Sequence, residues 1–344
     1  MALARYGIFA LLMLAASTQA QAHQLSPAFF GMTELQPNQF DARWKVSVSG
    51  GLADVLAPEL PAGCGVVGQP AVFLLDGVQA PREFRLQQAT VVCDRPLAGG
   101  EFTIRGLPAT DTDVLFTIEY LDGSSFTHRL VPQRPSVLIP EQPGVFDVIR
   151  TYTGLGVEHI LLGIDHLLFV LALLLLVVGW RNLVMTITAF TVAHSITLAA
   201  ATLGLVKVSP AAVEATIALS ILFLATELAR REANKALPLG LTSRFPWIVA
   251  FSFGLLHGFG FAGALQEIGI PEQSIALSLL FFNVGVELGQ LMFIGAVIAI
   301  GIALKRFGAE FSGSAPRYAA YVIGSVSAFW VFERTFTAVA PLAG

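Results

Sequence analysis

Six long apolar runs follow residue 150, and they constrain the fold more than any other feature of the chain. A helix needs roughly 20 apolar residues to cross the hydrocarbon core of a bilayer. The chain of 344 residues is 55% hydrophobic and only 13% charged, outside the range of soluble domains. We therefore predict a transmembrane α-helical bundle of six helices within residues 149–344. The runs are Leu155 to Gly179, Leu183 to Leu205, Ala211 to Ala229, Pro246 to Leu265, Ser274 to Leu304 and Tyr318 to Phe336.

The segment before the helices has a different character, because Asp, Glu, Arg and Pro are frequent there. Roughly seven short runs, separated by Gly, Pro and Asp, have the length and spacing of strands. Phe116, Ile118 and Tyr120 show the alternation of a strand with one buried face. Residues 23–148 are therefore predicted to form an all-β, sandwich-like antiparallel domain.

The N-terminus has the pattern of a signal peptide over residues 1–22. An apolar run from Ile8 to Ala16 is too short to span a membrane, and the small residues Ala20 and Ala22 suit a signal peptidase. Export places the β domain in an oxidising compartment, where Cys64 and Cys93 are expected to form a disulfide. Two buried thiols are the alternative.

Loop charge predicts the orientation. If the β domain is exported, the loops after helices one, three and five are cytoplasmic, and cytoplasmic loops carry an excess of Lys and Arg. Eight basic residues lie there: Arg181, Arg230, Arg231, Lys235, Arg244, Lys305, Arg306 and Arg317. The opposite loops and the tail hold only Lys207 and Arg334. We expect a multi-pass protein of a bacterial inner membrane, with the N-terminal domain and the C-terminus periplasmic. The net charge of −4 and the lack of a basic cluster argue against a nucleic-acid partner.

Ionisable residues inside the apolar runs are costly, so they are normally functional or paired. We predict that a group of them binds a metal ion: His159, Asp165, His166, His194, His257, Glu287, Asn283 and Glu158. Structural roles are the alternatives. Asp165 could orient His166, and Glu227 is expected to pair with Arg230 or Arg231. The sixth helix has almost no ionisable residues.

The spacing of His159 and His166 bears on how they could cooperate. Seven residues along an unbroken helix separate them by about 10.5 Å on one face. One ion could join both rings only at full stretch. Two successive binding stations, or a helix opened at Gly163, fit better. Imidazole and carboxylate suit nickel, cobalt, zinc or manganese rather than copper(I).

Two histidines lie outside the apolar runs. His23, beside the expected cleavage site, could chelate copper(II) or nickel(II) with backbone nitrogen, or have no role there. His128 is expected on the surface of the β domain.

The segment His159 to His166, HILLGIDH, resembles the signature of the HupE/UreJ family of hydrogenase and urease accessory membrane proteins. That signature reads His-Pro-x-x-Gly-x-Asp-His, and Ile160 replaces its proline here. The resemblance extends to residues 254–262 and 282–290. It implies permeation of nickel, or of cobalt, for metalloenzyme maturation, with periplasmic delivery or maturation proteins as partners. The metal residues it implies are His159, Asp165, His166 and His257.

Three functions remain at this point. A secondary permease is the first interpretation, since the chain lacks the G-x-x-x-x-G-K-[ST] nucleotide motif and need not be an enzyme. An intramembrane zinc-dependent hydrolase would use the same cluster, with Glu287 or Asp165 as the base. A periplasmic metal sensor or assembly module is the third.

Overall fold

The structure is a computed structural model that describes residues 28–48, 51–76, 83–141, 145–206, 208–234, 238, 240–268, 275–306 and 315–339. The expected signal peptide and His23 lie outside the described residues. An N-terminal β region is followed by a helical region, as the sequence predicts.

The β region has two sheets. A six-stranded sheet has the order β4-β5-β2-β1-β7-β8, and a three-stranded sheet has the order β3-β6-β9. The strands are β1 (Ala28–Gln36), β2 (Gln39–Ser47), β3 (Ala57–Glu59), β4 (Cys64–Asp76), β5 (Glu83–Cys93), β6 (Glu101–Arg105), β7 (Val114–Glu119), β8 (Ser125–Leu130) and β9 (Ser136–Leu138). Most pairs are antiparallel, but β1 and β7 are parallel. The expectation of an antiparallel sandwich is therefore wrong for this pair of strands. The long connection between β1 and β7 passes through the second sheet. Strand β7 therefore enters the larger sheet in the same direction as β1.

The two sheets share one apolar core. The ring of Phe102, from β6, stacks against Phe30 and Phe116 of the larger sheet, with centroids 4.9 and 3.9 Å apart. Burying each such ring contributes about 1.5–3 kcal/mol. Cys64 and Cys93 lie opposite each other on β4 and β5 and form the predicted disulfide.

Strand β7 is buried on both faces, which explains its continuous apolar sequence. Phe116 and Ile118 point into the β core, whereas Leu115 packs with Val148 and Tyr152 of the first helix. The β region therefore packs directly against the helical region.

Seven long helices follow within the described residues, with bounds α1 (Val145–Leu162), α2 (Ile164–Leu176), α3 (Trp180–Thr202), α4 (Pro210–Ala233), α5 (Pro246–Ile268), α6 (Ile275–Arg306) and α7 (Ala315–Val339). Among the described residues, α3, α4 and α6 are long and apolar enough to cross a membrane. Helices α1 and α2 give a fourth candidate if the two form one bent span. The other two expected spans are helical, as α5 and α7, and their crossing remains a prediction.

The first expected span differs from the structure. Its helix begins at Val145 instead of Leu155, and it breaks at Gly163 with a bend of 74°. The first turns contain Asp147 and Arg150, so hydropathy alone does not detect them. They are held by packing against the β region, where the Thr151 hydroxyl donates to the Thr127 carbonyl at 3.4 Å.

A candidate metal site at a broken helix

Four histidine side chains from four helices meet at the break between α1 and α2. His159 lies in the last turn of α1 and His166 in the first turn of α2. His194 lies on α3 and His257 lies on α5. The His166 ring centroid lies 4.7 Å from that of His159, 5.4 Å from that of His257 and 6.4 Å from that of His194. His166, His194 and His257 are at most 8% exposed. The structure therefore gathers all four predicted histidines into one histidine cluster.

The helix break creates this proximity. Along an unbroken helix the two rings would be about 10.5 Å apart, but the bend brings their centroids to 4.7 Å. Of the two arrangements expected from spacing, the structure has the helix opened at Gly163. A Cβ atom on Gly163 would lie 2.7 Å from the His159 carbonyl oxygen and 2.9 Å from His166 Nδ1. Glycine is required here for space, since its φ of −79° is open to any residue.

The ring nitrogens are suited to bind a cation. His257 Nδ1 lies 2.9 Å from the Phe253 carbonyl, so this nitrogen carries the proton and Nε2 keeps its lone pair. Among the described residues, His166 Nε2, His257 Nε2 and both His194 nitrogens have no hydrogen-bond partner. A buried polar group left without a partner costs about 1–3 kcal/mol, and metal coordination would remove this cost.

The rings do not yet surround a single point. No group of three or more His, Cys, Asp or Glu among the described residues is arranged to hold a metal ion. The rings contact one another edge to face, so a shared ion requires them to rotate. The donor chemistry fits a transition metal, and the present geometry is that of a loose cluster.

Asp165 lies beside the cluster and pairs with Arg334 from α7. The Arg334 Nη2 atom is 2.9 Å from Asp165 Oδ2, and its Nη1 donates to the Glu214 carbonyl at 3.2 Å. The guanidinium also lies over the Trp330 ring, 5.0 Å from its centroid. The sequence indicated a nearly plain sixth helix, so this partner was missed. The signal in the sequence is one isolated arginine near the C-terminal end of the sixth apolar run.

Glu158 points toward the β region, away from the rings. Arg129 of β8 pairs with Glu158 and also with Asp113, just before β7. This ion-pair bridge ties the β region to α1 at the residue before His159.

His128, beside Arg129, is expected at the surface, and the structure leaves it only partly exposed. Its ring is half-buried and stacks on Phe126 at a centroid distance of 6.1 Å. Burial, opposed in part by the charge of Asp147, lowers the pKa of His128.

The polar face of α6 joins α3 beside the cluster. Glu287 accepts a hydrogen bond from the Thr188 hydroxyl at 2.6 Å, and the Thr191 hydroxyl donates to Gln290 at 3.3 Å. Asn283 donates to the Leu279 carbonyl of its own helix at 2.7 Å. These bonds join Glu287 and Gln290 to α3, the helix that carries His194, and tie the Asn283 side chain to its own helix.

Glu227 does not pair with Arg230 or Arg231 as expected. It accepts hydrogen bonds from the backbone N–H groups of Thr242 and Ser243, each at 3.0 Å. This is possible because Gly240 lets the backbone approach the carboxylate closely.

The fold and the site define a multi-pass membrane protein with an N-terminal β region and a buried histidine cluster at a helix break. This chain belongs to the HupE/UreJ family, because the family model described as HupE / UreJ protein matches residues 135–334, more than half of the chain. The match includes all four clustered histidines and ends at Arg334. The family is associated with nickel and cobalt uptake for hydrogenase and urease. A search of curated proteins finds no match.

Proposed function

We propose that this protein is an ATP-independent permease for a divalent transition metal of the nickel or cobalt type, supplying metalloenzyme maturation. The observation that carries the proposal is the meeting of four imidazoles from α1, α2, α3 and α5 at the Gly163 break. Ionisable groups at membrane depth normally mark substrate pathways. Imidazole nitrogens suit nickel, cobalt and zinc.

The proposed topology has six spans, with the β region and the C-terminus periplasmic. Helix directions support it. Asp165 at the start of α2 lies near Glu214 at the start of α4, and Leu176 at the end of α2 accepts a hydrogen bond from Arg231 at the end of α4. The two helices therefore run in the same direction, as the first and third spans must. The last turns of α4 and α6 are both basic, as cytoplasmic ends are expected to be.

Transport would proceed by ligand exchange. A hydrated ion must lose water to enter the bundle, and a buried imidazole replaces each water with a nitrogen ligand. His159 follows Glu158, which pairs with Arg129 of the β region, so it would receive the ion first. His166, His194 and His257 would then bind the ion within the bundle. The break at Gly163 leaves the two flanking rings on separate helices, so they can move independently. The β region would capture ions or receive them from a periplasmic delivery protein.

The zinc hydrolase alternative has less support. A hydrolase needs a carboxylate beside the metal to act as a base on bound water. Asp165 is paired with Arg334, and Glu287 is bonded to Thr188. Both carboxylates thus already have other partners.

Uptake of radiolabelled nickel and cobalt into proteoliposomes tests the proposal. We expect wild-type protein to take up one or both ions, and His166→Ala and His194→Ala to lose about tenfold or more, since removing a metal ligand costs at least as much as removing the groups that orient it. His128→Ala is the matched control, because that histidine lies outside the bundle. Unchanged uptake after His166→Ala combined with Asp165→Ala would contradict the permease. A stoichiometric zinc that survives purification and does not exchange would favour the hydrolase.

A further inference from the structure

A layer of three phenylalanine rings lies beside the histidine cluster. Phe169 of α2 contacts Phe190 of α3 at a centroid distance of 5.0 Å and Phe253 of α5 at 6.1 Å. Phe169 and Phe190 are completely buried. Each ring comes from a helix that also supplies one histidine of the cluster. We call these three residues the phenylalanine layer.

The layer lies on one side of the cluster only. Phe169 is three residues after His166, whereas Phe190 and Phe253 are four residues before the histidines of α3 and α5. Helices α3 and α5 run parallel, because Gly254 packs on Phe190 and Gly258 packs on His194. Helix α2 runs against both, since its histidine contacts their histidines and its phenylalanine contacts their phenylalanines. One helical turn therefore separates the imidazoles from the aromatic rings on all three helices.

The side on which the layer lies is the basic end of the bundle. Helix α2 continues from Phe169 to Leu176, whose carbonyl accepts a hydrogen bond from Arg231. On the opposite side, His159 contacts His166, and its neighbour Glu158 pairs with Arg129 of the β region. The phenylalanine layer thus separates the histidine cluster from the end that we assign to the cytoplasm.

The phenylalanine rings also contact the His257 imidazole. The His257 centroid lies 5.0 Å from that of Phe169 and 5.0 Å from that of Phe190. Beyond the rings, Leu173 and Ile187 continue a buried apolar core. A narrow apolar constriction excludes water, and it blocks hydrated ions and water-borne protons.

We propose that the phenylalanine layer is the selectivity barrier of the transport path, and this inference rests on the proposed permease function. An ion reaches the layer only after exchanging its water for imidazole nitrogen at the cluster. Nickel and cobalt make this exchange, whereas magnesium gives up its water reluctantly and prefers oxygen. Movement of Phe169 and Phe190 then releases the bound ion toward the basic end.

Proteoliposomes loaded with magnesium- and pH-sensitive dyes test the barrier. The double variant Phe169→Ala, Phe190→Ala should raise magnesium and proton leak about tenfold or more, because the constriction becomes wide enough to hold water. Phe190→Leu keeps an apolar contact and should give a smaller rise, so it serves if the double variant fails to fold. Phe223→Leu is the matched control, since its ring contacts Phe253 at 5.6 Å but lies outside the layer. Nickel binding by the purified variants checks that the cluster is intact.

The outcomes separate the two proposals. Leak at the wild-type level in Phe190→Leu and in the double variant, with nickel binding retained, would overturn the barrier. Wild-type leak in the phenylalanine variants, together with loss of nickel uptake in Thr188→Val, would instead place the exit beside Glu287. This result would also overturn the barrier. If the wild-type protein takes up no nickel, the permease proposal is refuted. The dyes would still measure magnesium and proton leak, so the barrier is judged separately.

Discussion

Replacing Gly163 by alanine tests whether the helix break sets the geometry of the histidine cluster. The added Cβ would lie 2.7 Å from the His159 carbonyl oxygen and 2.9 Å from His166 Nδ1, and contacts this short force atoms to move. The His166 ring is the mobile group, so it should rotate away from His159. Overpacking of this kind costs roughly 1–3 kcal/mol. Alanine returns about 0.4–1 kcal/mol by restricting the unfolded chain.

The expected net destabilisation is therefore roughly 0–2.6 kcal/mol, a shift of at most a few degrees in Tm for a chain of this size. The effect on metal binding should be larger, because one of the four rings leaves the cluster. Disturbing the groups that orient a metal ligand lowers affinity about 10–100-fold. Nickel titration of the purified protein in detergent measures affinity, and thermal unfolding of the same samples measures stability.

Gly154→Ala is the matched control, since a Cβ there meets no atom within 4 Å. It should leave nickel affinity unchanged and stabilise α1 by up to about 1 kcal/mol. If Gly163→Ala binds nickel as tightly as wild type and takes it up at the same rate, the inference that the break positions His166 is refuted.

Three further predictions concern the surrounding structure. Arg334→Ala should destabilise the protein by about 1–3 kcal/mol, because it leaves the partly buried Asp165 carboxylate without its cation, and adding Asp165→Asn should recover most of the lost Tm. Gly258→Ala should lower stability by roughly 1–3 kcal/mol, because its Cβ would overlap the His194 carbonyl and force α3 and α5 apart, which thermal unfolding in detergent would detect. The lowered pKa of His128 means that the unfolded chain binds more protons below about pH 6.5, so stability should fall as pH drops from there toward the folded pKa. Urea unfolding at several pH values should show a weaker pH dependence for His128→Gln, and an identical dependence would contradict this assignment.

Local patterns in the sequence predict the elements of the fold but not their long-range partners. Alternation identifies strands such as β7, and the seven-residue spacing about Gly163 indicates either two successive binding stations or a helix opened at that glycine. The parallel pairing of β1 with β7 depends on a return of the chain after about eighty residues, which no local pattern encodes. For the same reason the sequence suggests Asp165 as a metal ligand and does not reveal its pairing with Arg334, which lies 169 residues away.

The four histidines that the sequence singles out lie together in the structure, and there is a physical reason why the sequence can single them out. Histidine is rare within apolar runs, so composition alone singles out His159, His166, His194 and His257. The role of a carboxylate is harder to assign, because a carboxylate can pair with any nearby cation. Arg129 pairs with Glu158 and Arg334 pairs with Asp165, and neither arginine is close in sequence to its partner.

The pairing of Asp165 with Arg334 has a consequence for biosynthesis. Synthesis proceeds from the N-terminus, so Asp165 enters the bilayer well before α7 emerges from the ribosome. Until the last helix inserts, its carboxylate lacks this partner, at a cost of several kcal/mol in apolar surroundings. We expect a nascent chain truncated before α7 to be degraded faster than the full-length Arg334→Lys variant, which pulse-chase labelling would reveal. Formation of the ion pair between Asp165 and Arg334 would then be the step that completes the folded protein.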